Sequence, residues 1–364
     1  MKIVHLTWQL TLGGAEAMLV DITNEQALSE DVTLIVCNAE VEKTLLDRLS
    51  QRVNIQLLGR PRGSRNPWYM LKLYHMLKTL KPDIVHAHLD SFIRFLKYLK
   101  VLRVHTVHNT GISLSPQTNQ FDVVYCISDA VRHDLKTRYP ELVTHVVQNG
   151  INFSDMANKA SYGHKPFRIV QVSRLDHHQK GQDILLRAIK KVNDSLGVGH
   201  VTVDFIGEGP SQDFLLKLND ELGLGTCCQF LGMRPRSYVY ENLHSYDLQV
   251  QPSRFEGFGL TVVEGMAAGL PVLVSDIEGP MEVIDHGRYG YYFRSEDEDD
   301  CAKQILNIML RTTLPEFVND RKSAEQYAQS TYDVAVTARE YLLDYARVIA
   351  SRMGHPRKDD EMKI

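Results

Sequence analysis

The stretch DLQVQPSRFEGFGLTVVEGMAAGLPV, residues 247–272, decides how the chain is read. Residues 247–251 read as a strand, a glycine-containing loop follows, and an apolar helix begins near Leu260. Gly269 and Pro271 stop that helix, and a further strand is expected at 271–275. A strand, a helix and another strand in succession form the building unit of a parallel α/β sheet. A helix that opens at a strand end presents amides with no intrahelical acceptor and a partial positive charge, which suits a phosphate. Gly257 and Gly259 let the backbone approach a ligand closely. Helical side chains tilt toward the N-terminus, so Glu264 leans back toward whatever is bound there, while Glu256 sits on the loop itself. Two carboxylates at different depths beside one anion site suit hydroxyl-rich groups, with Glu264 near a ribose and Glu256 near a sugar. The spacing alone fits two solvated glutamates equally well.

The same alternation extends outward in both directions. Strands are expected at residues 3–8, 32–37, 53–58, 83–88, 104–108, 123–128 and 145–148, with amphipathic helices such as 15–28 and 68–80 between them. After a polar stretch at 154–165, read as a linker, the pattern restarts with strands at 167–173, 201–206, 229–231, 247–251 and 271–275 and a helix at 182–192. Helices are expected at 301–310, 321–329 and 334–349, and the charged tail after Gly354 is expected to be disordered. The fold class is therefore α/β, with two doubly wound, Rossmann-like domains. The first spans residues 1–152 and the second 153–333. Substrates are expected at the carboxyl ends of the strands, where two such crevices can face each other.

Bulk properties agree with this reading. At 364 residues the chain is too long for one ordinary core, and 43% hydrophobic with 24% charged residues is the balance of a soluble globular protein. No run approaches the roughly 18 apolar residues that a membrane helix needs. The N-terminus reads as a strand and not as a signal peptide, so a cytoplasmic location is expected. The five cysteines, Cys37, Cys126, Cys227, Cys228 and Cys301, are odd in number and contain no Cys-x-x-Cys pair, which points to neither a disulfide framework nor a structural zinc site. The net charge of −4 conceals a basic stretch, residues 60–103, with ten Lys and Arg against two Asp.

A second chemical segment is VSRLDHHQKG, residues 172–181, between the strand at 167 and the helix at 182. A departing diphosphate gains negative charge as its bond to a sugar breaks. Some enzymes meet that charge with a metal held by an acidic cluster. Here no metal site is read, and the acidic run 296–300 is taken as a solvated helix start. Arg174 and Lys180 are the cations available at a strand end. One cation about 4 Å from a growing charge contributes about 4 kcal/mol at an effective dielectric of 20. His177 and His178 are taken as loop residues, since two neighbouring histidines do not make a metal site.

Residues 252–272 resemble the Glu-x7-Glu signature of glycosyltransferase family 4, a family of retaining, metal-independent sugar transferases with the two-domain GT-B fold. Glu256 and Glu264 match its glutamates, and the flanking Pro-Ser, Gly-Phe-Gly-Leu and Ala-Ala-Gly-Leu-Pro-Val match as well. The resemblance runs from Gly13 to about Gly290. It implies that Glu256 contacts the donor sugar and Glu264 the ribose. The turn Gly257, Phe258, Gly259, Leu260 and Thr261 is implied to hold the diphosphate. Arg174 and Lys180 match the family's Arg-Leu…Lys-Gly pair with one extra residue between them. Gly14, His108, Gly207 and Leu231 match positions near the donor or acceptor. Two departures are Gly265, where the family has alanine, and Glu278, where it has glycine. The last helix, about 334–352, resembles the family's crossover back to the first domain.

The implied donor is a nucleotide diphosphate sugar, UDP-linked in preference to GDP-linked, and the implied acceptor is a saccharide or a lipid-linked saccharide. No further cofactor, no metal and no nucleic-acid partner are expected, and the oligomeric state is left open. Residues 93–103 mix aromatics and cations as interfacial helices do, so peripheral contact with an anionic membrane is expected beside the alternative of a helix with a buried apolar face. Rival readings are a sugar-nucleotide epimerase of similar fold, which would need no acceptor, and a non-catalytic sugar-nucleotide-binding protein.

Overall fold

The computed structural model describes residues 1–354 apart from 12, 158, 160, 161 and 313. The charged tail beyond Gly354 lies outside the described residues. The chain divides into two compact units, one made of Met1–Gly150 with the C-terminal segment from Val334, the other of Ile151–Asp333.

In the first unit seven parallel strands lie in the order β3-β2-β1-β4-β5-β6-β7. These are β1 (Lys2–Thr7), β2 (Asp31–Asn38), β3 (Asn54–Arg60), β4 (Ile84–Ala87), β5 (Leu102–Val107), β6 (Val123–Cys126) and β7 (Thr144–Val146). The central strands are buried along nearly their whole length, as expected of a sheet covered on both faces. The helices Gly14–Gln26 and Val334–Gly354 pack together. Tyr341 and Tyr345 of the latter are fully buried in the same core as Ile3, Leu34 and Val104. The strand expected at 123–128 stops at Cys126 because Ser128 caps the helix Asp129–Arg138, accepting from the Val131 amide at 3.1 Å.

The second unit holds six parallel strands in the order β10-β9-β8-β11-β12-β13. They are β8 (Phe167–Val172), β9 (Val201–Ile206), β10 (Cys228–Gly232), β11 (Leu248–Gln251), β12 (Val272–Ser275) and β13 (Tyr291–Phe293). Strand β13 escapes sequence reading because three residues carry no legible period. Ile184, Leu185 and Ile189 of the helix Gln182–Leu196 pack against Ile305 and Ile308 of the helix Glu298–Arg311 over one face. The acidic run forms a cap: Asp297 accepts from the Asp300 amide at 2.8 Å. In each sheet the order reverses beside the first strand, between β1 and β4 and between β8 and β11. A crevice opens at such a point beyond the strands' carboxyl ends.

Three expectations change. The stretch 154–165 is not a free linker, because buried Asp247 accepts from the Gly163 and Arg168 amides at 3.0 Å and pairs with Lys159 at 3.5 Å. Residues 93–103 are not one helix. A single turn, Ile93–Leu96, gives way to β5, and Arg103 is buried against Asp122 at 3.3 Å. The need to start a sheet strand at Leu102 overrides the helical period. His177 and His178 lie in a short helical turn, His177–Lys180, and not in open loop.

Candidate functional site

The crevice of the second unit is built from loops that interlock through glycines. Gly181 has φ +64, and a Cβ there would meet the Pro252 carbonyl at 1.9 Å. At Gly207, φ +139, a Cβ would meet the Ser173 carbonyl at 2.0 Å. Only glycine lets these backbones touch. The Gly207 amide donates to the Gly232 carbonyl at 3.0 Å, and the Met233 amide donates to Glu208 Oε1 at 3.2 Å. The turns after β8, β9, β10 and β11 are therefore one assembly.

Within it the ammonium of Lys180 meets Glu256 Oε2 at 2.5 Å, both half-buried, and Ser253 Oγ lies 3.5 Å from the same oxygen. Arg174 is exposed, and among the described residues no hydrogen bond or ion pair holds its guanidinium. Four residues after Glu256 the helix Leu260–Ala267 begins behind Gly259, φ +112, with no side-chain cap. Its first satisfied amides are those of Val262 and Val263, which donate to the Gly259 carbonyl. The amides of Leu260 and Thr261 are thus the orphaned donors of a helix start. Glu264, one turn in, lies 3.9 Å from the guanidinium of Arg236, which in turn rests on Tyr240.

The residues singled out in the sequence divide between the units. Arg174, Lys180, Gly207, Leu231, Glu256, Gly257, Gly259, Leu260, Thr261 and Glu264 lie in the crevice loops of the second unit. Phe258 is a correction in part: its ring is buried edge-on against Tyr332 at 5.4 Å, so only its main chain can line a site. Gly14 opens the first helix of the first unit, and His108 follows β5 there.

Sequence reasoning missed the support beneath these groups. On one face Gln171 donates to the Lys180 carbonyl at 2.9 Å, and Gln182 donates to the Arg174 carbonyl at 2.8 Å. On the other, Gln249 donates to the Thr261 carbonyl at 2.5 Å, and Gln251 accepts from Thr261 Oγ1 at 3.3 Å while donating to Ser253 Oγ at 2.9 Å. All four glutamines are buried. Arg254 grips Asp183 with two bonds, 2.9 and 3.0 Å, and ties the signature loop to the helix Gln182–Leu196. For Gln171, Gln249 and Gln251 the available signal was glutamine at strand positions that should otherwise be apolar, whereas Gln182 opens a helix and carried none. Gly265 is also explained, since a Cβ there would meet Gln249 Oε1 at 2.4 Å.

In the first unit His5, His86 and His88 bring ligand-type nitrogens within 4.8 Å of one another. The His86 and His88 rings stack at 4.5 Å and 18°, so their in-plane lone pairs run side by side and do not converge on one ion. His5 Nε2 donates to Gln26 Oε1 at 2.7 Å, His5 Nδ1 meets His88 Nε2 at 3.1 Å, and both His86 nitrogens meet hydroxyls, of Tyr345 and Thr106, at 2.6 Å. The cluster is a hydrogen-bonded network of neutral rings. Burial drives the pKa of His5 down to about 4 and holds His86 and His88 well below the ordinary histidine range. His108, stacked on His88 at 5.9 Å, is likewise lowered to about 4 by burial and then by His105, and among the described residues its buried Nδ1 has no hydrogen-bond partner.

Two Rossmann-like units with all-parallel sheets match the GT-B architecture of solved glycosyltransferases. A glycosyltransferase of Rickettsia africae superposes with a TM-score of 0.78 at 17% identity, covering 96% of this chain and 98% of that one. The Anabaena protein Alr3699/HepE, solved in complex with UDP and glucose, gives 0.78 at 23% identity, covering 95% and 99%. At such identities the likeness is one of fold. In sequence, residues 154–331 match the family described as glycosyl transferases group 1, and residues 12–155 match glycosyltransferase family 4. The chain belongs to this family of glycosyltransferases. An uncharacterized glycosyltransferase of Methanocaldococcus jannaschii is 30% identical over 206 residues, 53% of this chain and 52% of the relative. D-inositol 3-phosphate glycosyltransferase of Mycolicibacterium smegmatis is 34% identical over 185 residues, 49% and 40% respectively. The chain spans about half the length of the curated relatives it matches first.

Proposed function

We propose that this protein transfers a sugar from a nucleotide diphosphate sugar to a saccharide or lipid-linked saccharide, with retention of anomeric configuration and without a divalent metal. The observation that carries the reading is the Lys180–Glu256 contact four residues ahead of an uncapped helix start. A diphosphate at the Leu260 and Thr261 amides would lie where Lys180 and Arg174 can neutralise charge as the sugar departs. Glu256 would exchange its ammonium partner for sugar hydroxyls, and Glu264, steadied by Arg236, would accept from a ribose. The acceptor hydroxyl attacks from the face the diphosphate leaves, and a departing phosphate oxygen takes its proton. A UDP-linked donor is favoured by the UDP complex of the Anabaena fold relative.

The test is transfer in excess EDTA, with the product anomer assigned by NMR and UDP- and GDP-sugars compared as donors. Undiminished turnover and a retained anomer are expected. Activity lost on chelation and restored by magnesium or manganese, or an inverted product, overturns the mechanism.

The basic stretch supports a membrane-facing role in the same reading. No helix among the described residues is long and apolar enough to cross a bilayer. The helix Trp68–Leu80 leaves Trp68 54% and Leu71 67% exposed, near Arg62, Arg65 and Lys72 in sequence, a combination that suits an anionic interface. Flotation with phosphatidylglycerol vesicles at low salt should carry the protein. The charge-reversed Arg62→Glu, Arg65→Glu, Lys72→Glu variant should stay behind.

A further inference from the structure

Cys227 and Cys228 are adjacent in sequence, yet their sulfurs face each other at 3.9 Å. In a strand, neighbouring side chains diverge to opposite faces. Here β10 begins only at Cys228, and both the Cys227 and Cys228 amides donate to the Leu224 carbonyl at 2.9 Å. That turn swings Cys227 onto the side of its neighbour. Each residue is only 4% exposed, within the core formed with Val203, Leu218 and Leu224. Cys227 Sγ also receives the Asn193 amide at 3.4 Å. The contact with Cys228, against the cost of burial and with the help of Asn193, pushes the Cys227 pKa down to about 6, while as a thiol Cys227 Sγ donates to the Leu224 carbonyl at 3.4 Å.

A disulfide does not suit this geometry. Its sulfurs must close to about 2.05 Å, and adjacent residues have Cα atoms about 3.8 Å apart, nearer than the usual disulfide range. Closing the ring would twist the 227–228 peptide. That peptide's carbonyl accepts from the Val203 amide at 2.8 Å, and its amide holds Leu224, so β10 would lose its first pairing. A bridging atom needs far less movement. Two thiolates each about 2.3 Å from a pyramidal, trivalent centre lie about 3.4 Å apart, so each sulfur shifts by only about a quarter of an ångström from the spacing found.

We propose that Cys227 and Cys228 form a two-thiol site for a soft, thiophilic centre that is satisfied by two protein sulfurs, of which trivalent arsenic is the type. Bridging by phenylarsine oxide forms two As–S bonds, and the two thiol protons leave with the arsenic-bound oxygen as one water. No electron is transferred. The site lies at the opposite end of β10 from Leu231 and Gly232, and it does not depend on the sugar-transfer reading.

Intact mass spectrometry of the folded chain with phenylarsine oxide should show one adduct, released by 2,3-dimercaptopropanol but not by excess 2-mercaptoethanol, with near-ultraviolet circular dichroism unchanged. Cys227→Ser and Cys228→Ser should each remove the adduct, and the Cys37→Ser, Cys126→Ser, Cys301→Ser triple variant should keep it. An adduct formed only by the urea-unfolded chain, or one retained by either single variant, overturns the proposal. So does mild peroxide treatment that yields a Cys227–Cys228 crosslink in the peptide map of the folded protein.

Discussion

Lys180 and Glu256 are 76 residues apart, yet their side chains meet at 2.5 Å. Each was legible in the sequence as a candidate, but their contact was not, because it depends on Gly181 lying against Pro252. In the proposed mechanism Lys180 changes partner from carboxylate to phosphate, while Arg174 starts with none among the described residues. Lys180→Ala and Arg174→Ala should each lower kcat about a thousandfold, the equivalent of about 4 kcal/mol. Saturating-donor kinetics measures this, and calorimetry of UDP binding should show a smaller loss. If both variants turn over normally, the cationic account of leaving-group departure fails. Gln251 illustrates what the sequence hides: it touches Thr261 and Ser253, but a glutamine on a buried strand gives no sign of which neighbour it serves.

At the scale of elements, the helix Glu278–Val283 is set against the signature loop through Gly279. A Cβ there would meet the Glu256 carbonyl at 2.5 Å and the Phe258 nitrogen at 2.9 Å, both main-chain atoms that cannot rotate away. Gly279→Ala should cost about 1–3 kcal/mol of stability and raise the donor KM, since the Glu256 loop must yield. Gly225→Ala, where a Cβ meets nothing within 4 Å, is the control and should change neither. Thermal melting and donor titration of both variants decide the matter. No helix was legible here in the sequence, and the close approach that demands glycine at 279 is a property of packing. The same contrast explains residues 93–103, where a helical pattern yielded to a strand needed by the sheet.

For the whole molecule, the buried histidines of the first unit govern its response to acid. An unfolded histidine binds its proton near pH 6.5, whereas folded His5 and His108 wait until about pH 4. Between those values the unfolded state holds more protons, so stability falls as the pH drops from about 6.5 toward 4. The slope is about 1.4 kcal/mol per pH unit for each such ring. The urea midpoint should fall steeply across this window, and His108→Gln, which removes one titrating ring, should flatten the fall. An unchanged slope would remove His108 from the explanation.

The sequence by itself determined the two Rossmann-like units, the nucleotide-site candidates Glu256, Glu264, Arg174 and Lys180, and membership of a sugar-transferase family. Strand–helix alternation and a signature with its own turn chemistry are local, and local patterns survive in one dimension. Only the tertiary structure decided that Phe258 is core, that Arg236 partners Glu264, and that four glutamines underpin the loops. It alone turned two adjacent cysteines toward one another. These outcomes depend on which chain segments share a volume, and close packing fixes that only when the whole sheet is assembled.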